Sequence, residues 1–162
     1  MKKVFGVQLE DVELYEGVPK PVYDTLCYFH HHPDLLETEG LFRVSGSLTN
    51  ILEIKKLYNE GQQVDLEKYD VHTVSATFKA FFRELPESLV TAENTDLFLV
   101  FIELDQKFNQ DKNKTITKLQ NVLNELPLVY LNVLKTLIQF LVLVEQKKDI
   151  NKMDSKNLSL SL

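Results

Sequence analysis

Apolar residues recur every three or four positions along most of this 162-residue chain. In the segment 70–85, for example, one side is apolar when residues are placed about 100° apart around a helix; its residues include Val74, Phe78 and Phe81. That spacing indicates amphipathic helices, and no alternating strand pattern longer than a few residues interrupts it. The sequence therefore predicts an all-α fold.

Proline, glycine and capping residues mark the ends of the expected helices. These helices span about residues 21–31, 48–59, 70–85, 95–108, 111–124 and 127–146, and a last one begins near residue 153 and is cut off at residue 162. Residues 1–19 carry no clear helical stripe, so we expect them to be irregular or extended. No linker or repeat divides the chain, which predicts one domain over residues 1–162.

The second expected helix has an apolar face formed by Leu48, Ile51, Leu52 and Tyr58. We expect this face to pack against the core, as amphipathic helices do. Ser47 stands just before the helix, and its hydroxyl suits the N-cap position.

Composition excludes several classes of protein. The net charge of −6 argues against a general nucleic-acid binder, which needs a basic surface. The single cysteine, Cys27, allows no disulfide within the chain, and this suits a reducing compartment such as the cytoplasm. The longest apolar stretch, 126–144, contains polar residues including Lys135, so it predicts a buried helix and no insertion into a membrane.

Signatures of nucleotide-binding and metal-dependent enzymes are missing from the sequence. It has no glycine-rich phosphate loop, no paired cysteine motif and no nucleophile elbow. The adjacent residues 30–32 are all histidine, but neighbours on a helix point in different directions and make a poor metal site. We therefore expect no cofactor, no metal and no nucleotide site of the chain's own.

The chain has 16 lysines but only two arginines, Arg43 and Arg83. Arg43 lies in a segment bounded by glycines, directly after the apolar pair Leu41 and Phe42. This arrangement suits a stiff loop that is anchored in the core and projects one guanidinium, whose planar set of donors lysine lacks. A purely structural loop arginine is the alternative.

Lys79 and Arg83 are four residues apart and lie at the edge of the apolar face of the 70–85 helix. Two cations at this spacing repel each other slightly unless an anionic group lies between them. They are either two cations that extend from the rim of the core into solvent, or a basic pair that holds a loop of the site or meets an acidic partner.

Three blocks of sequence resemble the signatures of the Rho GTPase-activating (RhoGAP) domain family. The first is EGLFRVSGS at 39–47, the second is DVHTV at 70–74 followed by FKAFFRELPE at 78–87, and the third is NKM at 151–153 followed by NL at 157–158. Their order and spacing match the family, and together they cover almost the whole chain. The resemblance departs at Ser159, where the family usually has a small apolar residue, and in the incomplete last helix.

The resemblance implies an all-helical bundle that binds the GTP-bound form of a Rho, Rac or Cdc42-like GTPase. It implies that Arg43 is the arginine finger that enters the partner's nucleotide site and stimulates GTP hydrolysis there. Lys79 and Arg83 would support the finger loop and the GTPase interface, and Asn157 would contact the partner. Such a chain is an activator and not itself an enzyme; a GTPase-binding module without catalysis and a helical scaffold without a GTPase partner are the alternatives.

Overall fold

In the computed structural model, the structure describes residues 3–89, 117, 120, 121 and 123–162. Its helices are α1 (Lys20–His31), α2 (Leu48–Asn59), α3 (Val71–Arg83), α4 (Leu128–Glu145), α5 (Lys148–Asn151) and α6 (Ser155–Ser161). Three short 3₁₀ helices span Leu9–Asp11, Pro33–Glu37 and Leu66–Lys68. The prediction of an all-α fold is confirmed. The helix predicted over 95–108, and most of the one predicted over 111–124, lie outside the described residues.

The N-terminal segment contains a short extended hairpin. Strands β1 (Leu14–Tyr15) and β2 (Val18–Pro19) form an antiparallel hairpin that leads into α1. Before it, the backbone amides of Val4 and Phe5 donate to Oδ1 of Asn59, at 2.8 and 3.0 Å. The side chain of Asn59 therefore fastens the start of the described chain to the end of α2.

Aromatic rings at the centre of the core join α1, α3, α4 and the segment before α2. The ring of Phe78 lies 5.8 Å from that of Phe42 and 5.6 Å from that of Phe140, measured between centroids. Phe140 also contacts Phe29 of α1 at 5.3 Å. Edge-on and tilted ring pairs of this kind add to the free energy gained by burial. The core thus reaches directly under the segment that carries Arg43.

The prediction that Leu48 and Leu52 face the core is wrong. Both are exposed, at 70% and 54%, whereas Ile54 and Tyr58 are buried. The apolar residues of α2 fall into two groups roughly a third of a turn apart at about 100° per residue, and periodicity alone did not separate them. The group that includes Ile54 and Tyr58 is buried, and the two leucines face outward.

Helix α4 is the most apolar of the described helices, with a mean hydropathy of 1.7 over 18 residues. It is long and apolar enough to cross a membrane, but one of its faces packs in the core through residues that include Val133 and Phe140. Only a third of the helix is buried, because Ile138 and Val142 on the other side are exposed. The prediction of a buried helix therefore holds for one face alone.

Candidate functional site

Arg43 lies in a tight turn between the 3₁₀ helix Pro33–Glu37 and α2, within residues 38–47, which we call the Arg43 loop. The backbone amides of Arg43 and Val44 both donate to the carbonyl of Gly40, at 2.8 and 2.9 Å. Leu41 and Phe42 are buried, while Arg43 is exposed. The loop therefore holds two apolar side chains in the core and presents the arginine to solvent.

Phe42 has a left-handed backbone, with a φ of 69°. For a residue other than glycine this conformation costs about 1–2 kcal/mol. Full burial of a phenylalanine side chain contributes about 1.5–3 kcal/mol, and the ring of Phe42 is only 1% exposed, between Phe78 and Phe140. Burial therefore offsets the strain, and the strained residue turns the chain so that its neighbour points outward.

The guanidinium of Arg43 makes no hydrogen bond or ion pair with the described residues. It lies beside Gly40, where an added Cβ would be 3.1 Å from Nη2 of Arg43 and 2.6 Å from Cγ2 of Val44. Gly40 also has a positive φ of 70°, so a side chain there would be both strained and crowded. The glycine thus leaves room for a guanidinium whose donors are free to bind an anionic group.

The far end of the Arg43 loop is fixed to the first turn of α3. The backbone amide of Ser47 donates to Oγ1 of Thr73 at 3.0 Å, and this hydroxyl donates in turn to Asp70 at 2.6 Å. That hydrogen bond lowers the pKa of the Asp70 carboxyl below its ordinary value. A Cβ on Gly46 would lie 2.5 Å from Cα of Thr73, so only glycine allows the loop to come this close.

Lys79 supports the middle of the same loop. Its ammonium donates a 2.9 Å hydrogen bond to the backbone carbonyl of Phe42, the residue before Arg43. Partial burial, together with the nearby positive charge of Arg83, lowers the pKa of Lys79 below its ordinary value. Of the two interpretations that the sequence left open, this contact favours a basic residue that holds the loop.

Arg83 lies one turn further along α3 and reaches a different element. Its guanidinium donates a 3.1 Å hydrogen bond to the carbonyl of Ser161 in the last turn of α6. Lys79 therefore supports the Arg43 loop, whereas Arg83 connects α3 to α6.

Asn157 lies on α6, one turn before Ser161. Its backbone amide donates to the capping carboxylate of Asp154 at 2.8 Å, and its side-chain amide donates to the carbonyl of Lys152 at 3.1 Å. The side chain is partly exposed. The contact between Arg83 and Ser161 thus connects the helix of Asn157 to the helix that supports the Arg43 loop.

Exposed apolar side chains lie in the Arg43 loop and next to it on α2. Val44 directly follows the arginine and is 41% exposed, and Leu48 and Leu52 continue at helical spacing on the outer side of α2. We call these three residues the apolar strip. Sequence periodicity assigned its two leucines to the core, so it did not identify this surface. Neighbouring exposed apolar residues beside a free cation are typical of a surface that binds another protein.

The arrangement is suited to donate positive charge to another molecule. The guanidinium is permanently charged, has no partner among the residues that the structure describes, and is held on a loop with contacts at Gly46, Phe42 and Gly40. Within the described part of the chain, no three His, Cys, Asp or Glu side chains are grouped as metal ligands. Sequence reasoning did not single out Thr73 or assign a role to Gly46, and the only available signal was the small size of the residue at 46.

The chain is similar to proteins of one family. A family model described as the RhoGAP domain matches residues 19–162. The chain is 38% identical to the Dictyostelium discoideum Rho GTPase-activating protein gacN over 127 residues, which are 77% of the chain and 20% of that protein. It is 35% identical to gacY of the same organism over 162 residues, covering 97% of the chain and 22% of that protein.

A solved structure supports the same relationship. The crystal structure of human Rho GTPase activating protein 15 matches 99% of the chain and 75% of its own, with a TM-score of 0.82 and 27% sequence identity. Our chain spans about a fifth of the length of the two curated relatives. The similarity therefore concerns a domain-sized part of those proteins.

We expect the hydroxyl of Thr73 to contribute more to the free energy of unfolding than the hydroxyl of Thr77 on the same helix. Thr73→Val removes the acceptor for the Ser47 amide, and we expect the free energy of unfolding to fall by about 1–2 kcal/mol. Thr77→Val is the control, because among the described residues its hydroxyl bonds to the carbonyl of Thr73 within α3, so a change within about 0.5 kcal/mol is expected. Urea unfolding measures both; equal losses would mean that Thr73 does not fasten the loop.

Proposed function

This chain belongs to the RhoGAP domain family, and we propose that it activates a Rho-family GTPase by inserting Arg43 into the nucleotide site of the GTP-bound partner. The observation that carries the proposal is the exposed guanidinium on an anchored loop. The alternative of a structural loop arginine is disfavoured, because such a residue would use its donors within its own domain. Arg43 has no such partner among the described residues.

The proposed mechanism is electrostatic stabilisation of the transition state. Transfer of the γ-phosphoryl group to water spreads negative charge over the phosphate oxygens and the leaving bridge oxygen. A guanidinium placed there in trans accelerates the reaction by roughly 10³–10⁵, equivalent to about 4–7 kcal/mol of barrier. Its planar donors match two oxygens at once, which an ammonium does not do. An arginine-poor chain would thus place an arginine where that geometry is needed.

The anchored loop would add a positioning contribution. A guanidinium on a mobile loop would lose conformational freedom on entering the partner's site, and that loss would reduce the acceleration. In this chain the contacts of Lys79 and Thr73 fix the loop before any partner arrives. The free energy of ordering the loop is therefore supplied by folding.

Binding would use the surface around the loop. We propose that the apolar strip lies against the GTPase, and that Arg83 on α3 and Asn157 on α6 support or contact the GTPase. The strip supplies apolar area that is already exposed, so docking removes it from water without unfolding any part of the core. Rho, Rac and Cdc42-like proteins are the proposed partners.

The proposal makes the chain a regulator of another protein's turnover. The nucleotide, its metal ion and the attacking water would all belong to the GTPase, and the chain would leave unchanged after hydrolysis. We propose that it acts in the cytoplasm, where its single thiol stays reduced.

Removal of the guanidinium should separate catalysis from binding. We expect Arg43→Ala to lower the stimulated rate of single-turnover GTP hydrolysis about a thousandfold or more, with affinity for the GTP-bound partner changed only a few-fold. Arg43→Lys keeps the charge but not the planar donors and should recover little of the rate.

A panel of Rho, Rac, Cdc42 and Ras GTPases, assayed with wild type and both variants, identifies the partner. Full stimulation by Arg43→Ala would refute the finger assignment. Wild-type binding without any acceleration would instead indicate the non-catalytic module.

Loss of the Lys79 contact should misplace the loop. We expect Lys79→Met to lower the maximal stimulated rate about ten- to a hundredfold at saturating domain concentration, because small displacements of a catalytic group have effects of that size. Lys135→Met is the matched control, since Lys135 is exposed on α4. An unchanged maximal rate in Lys79→Met would remove this residue from the proposal.

Truncation of the apolar strip should weaken docking without loss of stability. We expect Leu48→Ser to raise the dissociation constant for the GTP-bound partner about tenfold, equivalent to about 1.4 kcal/mol of lost burial. Leu128→Ser is a close match, because Leu128 is 72% exposed on α4 and Leu48 is 70% exposed on α2. Calorimetry with both variants tests the surface, and equal affinities would show that the partner binds elsewhere.

A further inference from the structure

Asn151 is a polar residue with no exposed surface, at the end of the four-residue helix α5. Its side-chain amide donates to two backbone carbonyls, those of Leu36 at 2.9 Å and Val144 at 2.8 Å. Its side-chain oxygen accepts a hydrogen bond from the backbone amide of Met153 at 2.8 Å. A single buried side chain thus connects the end of α4, the 3₁₀ helix Pro33–Glu37 and the segment that leads to α6.

The backbone of Asn151 continues this network into the Arg43 loop. Its carbonyl accepts a 2.7 Å hydrogen bond from the amide of Gly40. The carbonyl of Gly40 in turn accepts hydrogen bonds from the amides of Arg43 and Val44. A single residue, Gly40, therefore connects Asn151 to the turn that presents the guanidinium.

From this network, we propose that Asn151 is a positioning residue for Arg43. The hydrogen bonds of its buried side chain fix the position of its backbone carbonyl. That carbonyl accepts the Gly40 amide and so fixes the N-terminal end of the Arg43 loop. The inference rests on the proposed function for its effect on catalysis, but the network itself is a property of the free domain. Nothing in this role requires Asn151 to touch the GTPase.

The side chain is needed because the backbone around it is weakly held. Helix α5 has only four residues, and a single helical turn is not stable by itself. The next residue, Lys152, has a left-handed backbone with a φ of 63°, where the chain reverses toward α6. The three side-chain hydrogen bonds of Asn151 replace the support that a longer helix would provide.

An ion pair lies beside the same junction. Nζ of Lys147 is 3.1 Å from a carboxylate oxygen of Glu37, so it joins the end of α4 to the 3₁₀ helix that precedes the Arg43 loop. This pair is largely exposed, and exposed pairs contribute little to stability. The buried amide is therefore the stronger of the two connections.

The experiment compares Asn151→Ser with Asn59→Ser. Asn59 is the matched control, because its side chain also binds backbone groups but holds the N-terminal segment and not the loop. At a temperature where both variants remain folded, we expect Asn151→Ser to lower the maximal stimulated rate of single-turnover hydrolysis about ten- to a hundredfold. Its affinity for the GTP-bound partner should stay within about threefold, and Asn59→Ser should match wild type in both.

An unchanged maximal rate in folded Asn151→Ser would overturn the inference, as would a loss of affinity alone. Hydrogen exchange of the wild-type domain adds a test that needs no variant. The amides of Gly40 and Met153 should exchange through a common opening, and exchange of Gly40 at least a hundredfold faster than Met153 would show that the loop is not held by this junction. If wild type stimulates no GTPase, the proposed function fails, while this exchange measurement still decides the network.

Discussion

The arrangement of the site depends on the burial of one aromatic ring. Phe42 occupies the centre of the core between rings of α3 and α4, and its backbone adopts a left-handed conformation to reach that position. The next residue is Arg43, so the conformation that places the ring inside places the guanidinium outside. Core packing and presentation of the arginine are consequently one constraint, and neither can be changed without the other.

Three residues on two helices contact the backbone of the Arg43 loop. Lys79 donates a hydrogen bond to the carbonyl of Phe42. The hydroxyl of Thr73 accepts one from the amide of Ser47, and the carbonyl of Asn151 accepts one from the amide of Gly40. Each contact uses a backbone group of the loop, so the loop's shape depends little on which exposed side chains it carries. The supporting residues lie on α3 and α5, far apart in sequence.

The sequence predicted the helices well and the supports poorly. The cap at Ser47 and the spacing of residues such as Val74 and Phe78 are local signals, and the structure confirms them. The family assignment is confirmed as well, because its motifs are local stretches of residues. The outward orientation of the α2 leucines and the contacts of Thr73 and Asn151 depend on which elements meet in space. Periodicity carries no information about which elements meet. The functional roles of Arg43, Lys79, Arg83 and Asn157 stay predictions.

If Arg43 acts as proposed, a fixed loop leaves discrimination between GTPases to the surface on which they dock. A loop held at both ends cannot follow a partner that seats at a different angle, so only the arginine's own side-chain torsions remain adjustable. Two GTPases that bind with equal affinity would then be stimulated to different rates, because each would place its nucleotide at a different distance from the fixed guanidinium. Under the proposed function, selectivity would therefore depend on the alignment of the bound partner more than on its affinity.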